Sequence, residues 1–145
     1  MGGLDALRDK IEEGLRRAVG ATDPAELYAP AEYVLAGGGK RLRPLLVTLA
    51  GQMHGADPEK TLPAAVSVEV FHNFTLVHDD IMDNADTRRG RPTVHVKWDE
   101  PTAILVGDLL MGIAYEKLAE LPSAAVGPAL ACFSAMVRRL CEGQT

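Results

Sequence analysis

Residues 64–83 read A-A-V-S-V-E-V-F-H-N-F-T-L-V-H-D-D-I-M-D, and their reading decides the fold. The run shows no period-two alternation, so it is expected to be one long helix, opened by Asp57-Pro58 and apolar on most sides. It ends in three carboxylates, Asp79, Asp80 and Asp83. Residues four apart on a helix share a face, so Asp79 and Asp83 point the same way, while Asp80 points about 100° around. Negative charge is unfavourable at a helix C-terminus, where the macrodipole is already negative. Three acids there call for a compensating cation.

Working outward, the remainder also reads as helix. Leu4, Leu7, Ile11, Leu15 and Ala18 lie at helical spacing. Asp23 is expected to cap a second helix with Pro24 at its first position, running toward Leu35 and stopping at Gly37–Gly39. A third helix is expected from near Pro44. A polar loop then covers Asn84 to about Trp98. Asp99 or Glu100 starts a fifth helix, and Leu121-Pro122-Ser123 separates it from a sixth that reaches about Cys141. The fold class is all-α: antiparallel helices joined by short loops, with two long polar connections.

The chain has 145 residues, 47% of them apolar, enough for one domain with its own core. A net charge of −5 argues against a nucleic-acid partner, because phosphate backbones require a basic surface. Cys132 and Cys141 fit neither a zinc site nor a disulfide pattern, so a cytoplasmic location is expected. The N-terminus has no apolar signal core. No transmembrane segment is expected, since the apolar stretch Ala103–Tyr115 is interrupted by Gly107 and Asp108. Asp108 reads as a buried hydrogen-bonding acid without assigned chemistry, and His54, His78 and His95 have no assigned role.

The two polar connections carry the candidate chemistry. One is N-A-D-T-R-R-G-R-P-T, residues 84–93, in which Arg88 and Arg89 follow the aspartates. Guanidinium forks suit phosphate oxygens, and adjacent arginines point in different directions. The other is G-G-G-K-R-L-R-P, residues 37–44. Its glycines allow close backbone approach to a ligand, and Lys40 and Arg43 lie at a helix N-terminus, where anions are welcome. In isolation this loop is a helix C-cap followed by a basic turn, and the spacing of a Walker P-loop is absent. Mg2+ takes one or two carboxylates plus substrate phosphate oxygens. Asp79 and Asp83 supply such a pair, with Asp80 binding water or orienting a neighbour.

The two motifs together, G-G-G-K-R-L-R-P and L-V-H-D-D-I-M-D-N-A-D-T-R-R-G-R-P-T, resemble the trans-isoprenyl diphosphate synthases, or polyprenyl synthetases, in order and spacing. The resemblance implies the N-terminal half of an isoprenoid-synthase-type antiparallel helix bundle, with residues 1–145 as a single partial domain. It implies a Mg2+-dependent head-to-tail prenyltransferase that condenses isopentenyl diphosphate with an allylic diphosphate (dimethylallyl, geranyl or farnesyl). By position, Lys40, Arg43, Arg89 and His72 correspond to contacts to isopentenyl diphosphate. Asp79 and Asp83 correspond to metal ligands, and Arg88 to an allylic diphosphate contact. Phe74, Phe71 and Thr75, upstream of the aspartates, correspond to positions that set chain length; an aromatic at Phe74 favours a geranylgeranyl product, with farnesyl the close alternative. A homodimer or higher oligomer is implied.

The family pattern continues past Thr145 with a second aspartate-rich motif. A piece of a longer enzyme is the favoured expectation, beside a partner-dependent or non-catalytic subunit and an inactive short relative. A class I terpene cyclase fits less well, since it handles one diphosphate and has no use for the Gly37–Arg43 element.

Overall fold

A computed structural model describes residues 2–20 and 23–144; Met1, Ala21, Thr22 and Thr145, part of the expected 1–145 domain, lie outside the described residues. In chain order the elements are α1 (Gly2–Ala18), α2 (Ala25–Leu35), α3 (Leu42–Met53), α4 (Pro58–Met82), β1 (Thr87–Arg88), β2 (Arg91–Pro92), α5 (Val94–Lys97), α6 (Glu100–Ala119) and α7 (Ser123–Glu142). The all-α reading holds. α4 is the central element, packing chiefly against α6 and α3, with α1 on a further side, while α2 lies mainly on α6.

Buried apolar side chains at helical spacing explain that arrangement. α4 contributes Val66, Val70, Phe71 and Val77, α6 contributes Val106, Leu110, Ile113 and Leu118, and α1 contributes Ile11 and Leu15. Small residues let α4 and α6 approach closely. Ala103 and Ala114 are fully buried, and the Ser67 hydroxyl donates to the Ala114 carbonyl at 2.7 Å. A Cβ at Gly107 would lie 2.2 Å from His78 Nε2.

The helix starts follow local chemistry. Asp57 accepts from the Glu59 amide at 3.0 Å with Pro58 in the first turn, and Asp99 accepts from the Thr102 amide at 2.7 Å. α2 departs from expectation: Pro24, not Asp23, occupies the N-cap, and no side chain caps it. The Pro24 carbonyl accepts the Leu27 and Tyr28 amides as the first-turn backbone bonds, and the helix opens one residue later than an Asp23 cap requires. α3 starts two residues before Pro44, since proline is tolerated in a first turn where its missing N–H bonds nothing.

The connection read as a loop contains a two-residue antiparallel pairing, Thr87 with Pro92 and Arg88 with Arg91, followed by the single-turn α5. Its turn residues, Arg89 and Gly90, both have positive φ, 53° and 74°, as a tight hairpin with the primed turn geometry needs. Strands this short leave no periodicity to read. Asp108 is the other correction: its side chain is 63% exposed and lies 3.9 Å from His78 Nε2. α7 anchors one ring, Phe133, in the core; by length and composition alone it is also apolar enough to cross a membrane.

Leu110, fully buried on α6, tests this packing. Leu110→Ala should lower stability by about 2–5 kcal/mol, read as a lower midpoint in urea unfolding followed by circular dichroism; an unchanged midpoint would contradict the α4–α6 core.

Candidate functional site

The site forms where the two polar connections meet α4. At the C-terminal end of α4, Asp80 is buried while Asp79 is half-buried and Asp83, the C-cap, is exposed. Arg88, from β1, closes on Asp80: its Nε lies 2.9 and 3.0 Å from the two carboxylate oxygens, and its Nη2 lies 2.8 Å from Oδ1. The hydrogen bond to Asp80 is the main reason the Arg88 guanidinium is held above its ordinary pKa, with Asp79 and Asp83 adding to the effect. Arg88 therefore neutralises the acid that faces inward. Asp79 and Asp83 form no ion pair or side-chain hydrogen bond with any other described residue.

Among the described residues no three His, Cys, Asp or Glu side chains form a closed metal cluster. The pair that remains is nonetheless suited to Mg2+. Both groups are hard carboxylates one helical turn apart, neither makes a direct ion pair among the described residues although both feel the Arg88 charge, and Mg2+ takes few protein ligands when a phosphate completes its shell.

On the adjacent face, Gly39, Lys40, Arg43, His72 and Arg89 line a polar cleft of about 80 Å³, together with Arg41, Leu42 and Glu69. Arg89, placed by the left-handed turn, donates to the Gly38 carbonyl. A Cβ on Gly39 would sit 3.1–3.3 Å from the Arg89 guanidinium, a tight contact that the side chain would have to yield to, and φ there is 138°, a conformation that favours glycine. Arg43 Nη1 lies 3.3 Å from His72 Nε2. Burial, and then the Arg43 charge, lower the His72 pKa below its usual value. The ring is thus neutral near pH 7 and accepts from Arg43. Lys40 is exposed at the rim.

The chain-length candidates lie elsewhere on α4. Phe71 is in the core, with its ring centroid 5.2 Å from Phe74 and 5.1 Å from Phe133. Phe74 is half-buried and meets His78 edge-on at 4.8 Å. The Thr75 hydroxyl donates to the His72 carbonyl at 2.8 Å.

Sequence reasoning missed two contributors. Tyr33 anchors the arginine hairpin: its hydroxyl donates to the Pro92 carbonyl at 2.8 Å, and Arg91 and Lys97 each lie 3.9 Å from its ring centroid. Nothing local to Tyr33 signals this. Arg41, inside the basic turn, is buried against Glu69 and Glu12. Glu69, a lone acid in an apolar helical run, was the available signal, since a buried carboxylate needs a cation.

The bundle thus holds two cationic loops against one aspartate-bearing helix. The chain belongs to the polyprenyl synthetase family, whose model matches residues 24–145. It is 44% identical over 137 residues to the geranylgeranyl diphosphate synthase of Methanosarcina mazei, covering 92% of this chain and 42% of that one. It is 48% identical over 106 residues to the (2E,6E)-farnesyl diphosphate synthase of Mycobacterium tuberculosis, covering 73% of this chain and 30% of that one. The geranylgeranyl pyrophosphate synthetase structure from Pyrococcus horikoshii superposes with a TM-score of 0.92 at 39% identity, covering 97% of this chain and 44% of that one. The chain thus spans less than half the length of these relatives.

The lowered His72 pKa predicts a pH effect. Above the unfolded pKa, about 6.5, His72 is neutral in both states and contributes no pH dependence. Below it the unfolded chain binds more protons, so stability falls as pH drops toward the folded pKa. Urea titrations between about pH 5 and 7 should show this loss, and His72→Gln should flatten it; equal slopes in both proteins would refute the assignment.

Proposed function

We propose that this chain carries the isopentenyl diphosphate site and the first metal site of a head-to-tail prenyltransferase. The observation that carries this reading is the convergence of Lys40, Arg43, His72 and Arg89 on one cleft, beside two carboxylates that make no direct ion pair among the described residues. Two anionic substrates need separately placed cationic groups: Lys40, Arg43 and Arg89 line one cleft, and Arg88 lies by the aspartates.

In this reading Lys40, Arg43 and Arg89 bind the diphosphate of isopentenyl diphosphate, and neutral His72 holds Arg43 in place while contacting the same group. Asp79 and Asp83 would hold Mg2+, which when bound supplies Lewis-acid stabilisation of the leaving diphosphate. Arg88 contributes a donor at the same end, kept in place by Asp80. The allylic carbon–oxygen bond breaks, the double bond of isopentenyl diphosphate attacks the allylic carbon, and a proton leaves the product. Phe74 borders the space available to the growing chain, with Phe71 behind it and the small Thr75 beside it. A geranylgeranyl product is favoured, in keeping with the names of the relatives, and farnesyl diphosphate is the alternative. The reaction is placed in the cytoplasm, consistent with the free, exposed Cys132 and Cys141. The outward-facing Ile104, Leu105 and Leu140 support self-association as a homodimer.

Titration calorimetry separates the two sites. Lys40→Ala or Arg43→Ala should weaken isopentenyl diphosphate binding by about tenfold or more while sparing Mg2+-dependent binding of geranyl diphosphate. Asp79→Ala or Asp83→Ala should do the reverse. Loss of both ligands with either pair of variants would overturn the two-site reading. In an active preparation, Phe74→Ala should lengthen the product seen by chromatography, and an unaltered product would remove Phe74 as a determinant of chain length.

A further inference from the structure

Lys40, Arg41 and Arg43 fall within four residues at the start of α3, yet only Lys40 and Arg43 are exposed. Arg41 turns inward and is 3% exposed. Its Nε and Nη2 donate to the two carboxylate oxygens of Glu12 at 2.6 and 3.3 Å. Its Nη1 donates to Glu69 at 2.9 Å, and Nη2 also reaches the Leu35 carbonyl at 2.8 Å. Glu69 is itself buried. With its guanidinium committed in this way, Arg41 is not a ligand for an anion in the cleft.

The backbone at Arg41 shows what these bonds accomplish. Arg41 is the N-cap of α3 with φ 50° and ψ 35°, and it makes no side-chain cap. A left-handed conformation is costly for a residue with a Cβ and persists only where its surroundings over-determine it. Here they do, because Arg41 joins four elements: α1 through Glu12, the end of α2 through Leu35, α4 through Glu69, and α3 through its own backbone. The Leu35 contact and the Arg41 backbone lie on either side of Gly37–Gly39, the most permissive stretch of the loop. Glu69 is three residues before His72, on the same face of α4. The pair therefore fastens the loop to the face that carries the cleft.

We propose that Arg41, held by Glu69 and Glu12, is a positioning residue for the diphosphate cleft: it fixes the course of residues 37–43 so that Lys40 and Arg43 are already arranged before the ligand arrives. The inference rests on the reading of that cleft as an isopentenyl diphosphate site. Preorganisation of this kind raises affinity by removing the ordering cost of binding. It also extends the site to α1, since Glu12 lies upstream of the residues matched by the family model.

Arg41→Ala alone would leave Glu69 buried without a partner and unfold the chain for an unrelated reason. The informative variant is the double replacement Arg41→Met with Glu69→Met, which removes both buried charges and keeps the volume; Glu12, 41% exposed on its side chain, returns to water. Melting temperature and isopentenyl diphosphate binding by calorimetry are measured on the same preparations. The expected result is a folded protein that melts near the parent but binds at least about tenfold more weakly. Glu12→Ala, a change at a half-exposed side chain that leaves the Arg41–Glu69 pair intact, should weaken binding in the same direction by a smaller factor, and it decides the matter if the double variant does not fold. Unaltered affinity in the folded double variant, or in Glu12→Ala, overturns the inference and leaves the cleft reading standing. Absence of binding by the parent chain overturns both.

Discussion

An ionised carboxylate cannot remain inside an apolar helical core without a cation beside it. α4 buries two, Glu69 and Asp80, and each is met by an arginine from a different loop, Arg41 and Arg88. The two acids are eleven residues apart, just over three turns, so they project from nearly the same side of the helix, about 16 Å apart along its axis. Meeting that demand draws the glycine-rich loop onto one end of the face and the arginine hairpin onto the other. The residues between and beside them, His72, Asp79 and Asp83, become the floor and rim of the site as a consequence.

This arrangement divides the basic residues by role. In each loop one arginine is turned inward to satisfy a buried acid, while its neighbours stay available. Arg41 is committed and Lys40 and Arg43 are presented; Arg88 is paired with Asp80 and Arg89 is presented. Left-handed residues make the division, since Arg41 and Arg89 both have positive φ near 50°. Adjacent side chains then leave the backbone in different directions, and a short basic run serves two purposes.

Much of the fold was legible in the sequence. The long apolar run of α4, its opening at Asp57-Pro58 and the glycine break after α2 each follow from local chemistry, and of the two starts open for the next long helix, Asp99 is the cap and Glu100 the first helical residue. The misreadings also have physical causes. The hairpin at Thr87–Pro92 is too short to show a period. α2 opens at Ala25 with Pro24 at the N-cap and no side-chain cap, one residue later than the Asp23 cap expected. Asp108 looked buried because its neighbours are apolar, but α6 turns that position away from the core, toward His78 and solvent.

The sequence by itself determined which residues are helical and which residue types are available for chemistry, because both depend on short-range spacing: apolar periodicity, capping, and the clustering of aspartates and arginines within a few residues. Only the tertiary structure decided which of those charges are free. Lys40 and Arg41 are adjacent cations in the sequence, with nothing local to say that one is exposed and the other buried. They part company because burial makes a charge seek a partner from far along the chain, and that partner is chosen by how the helices pack.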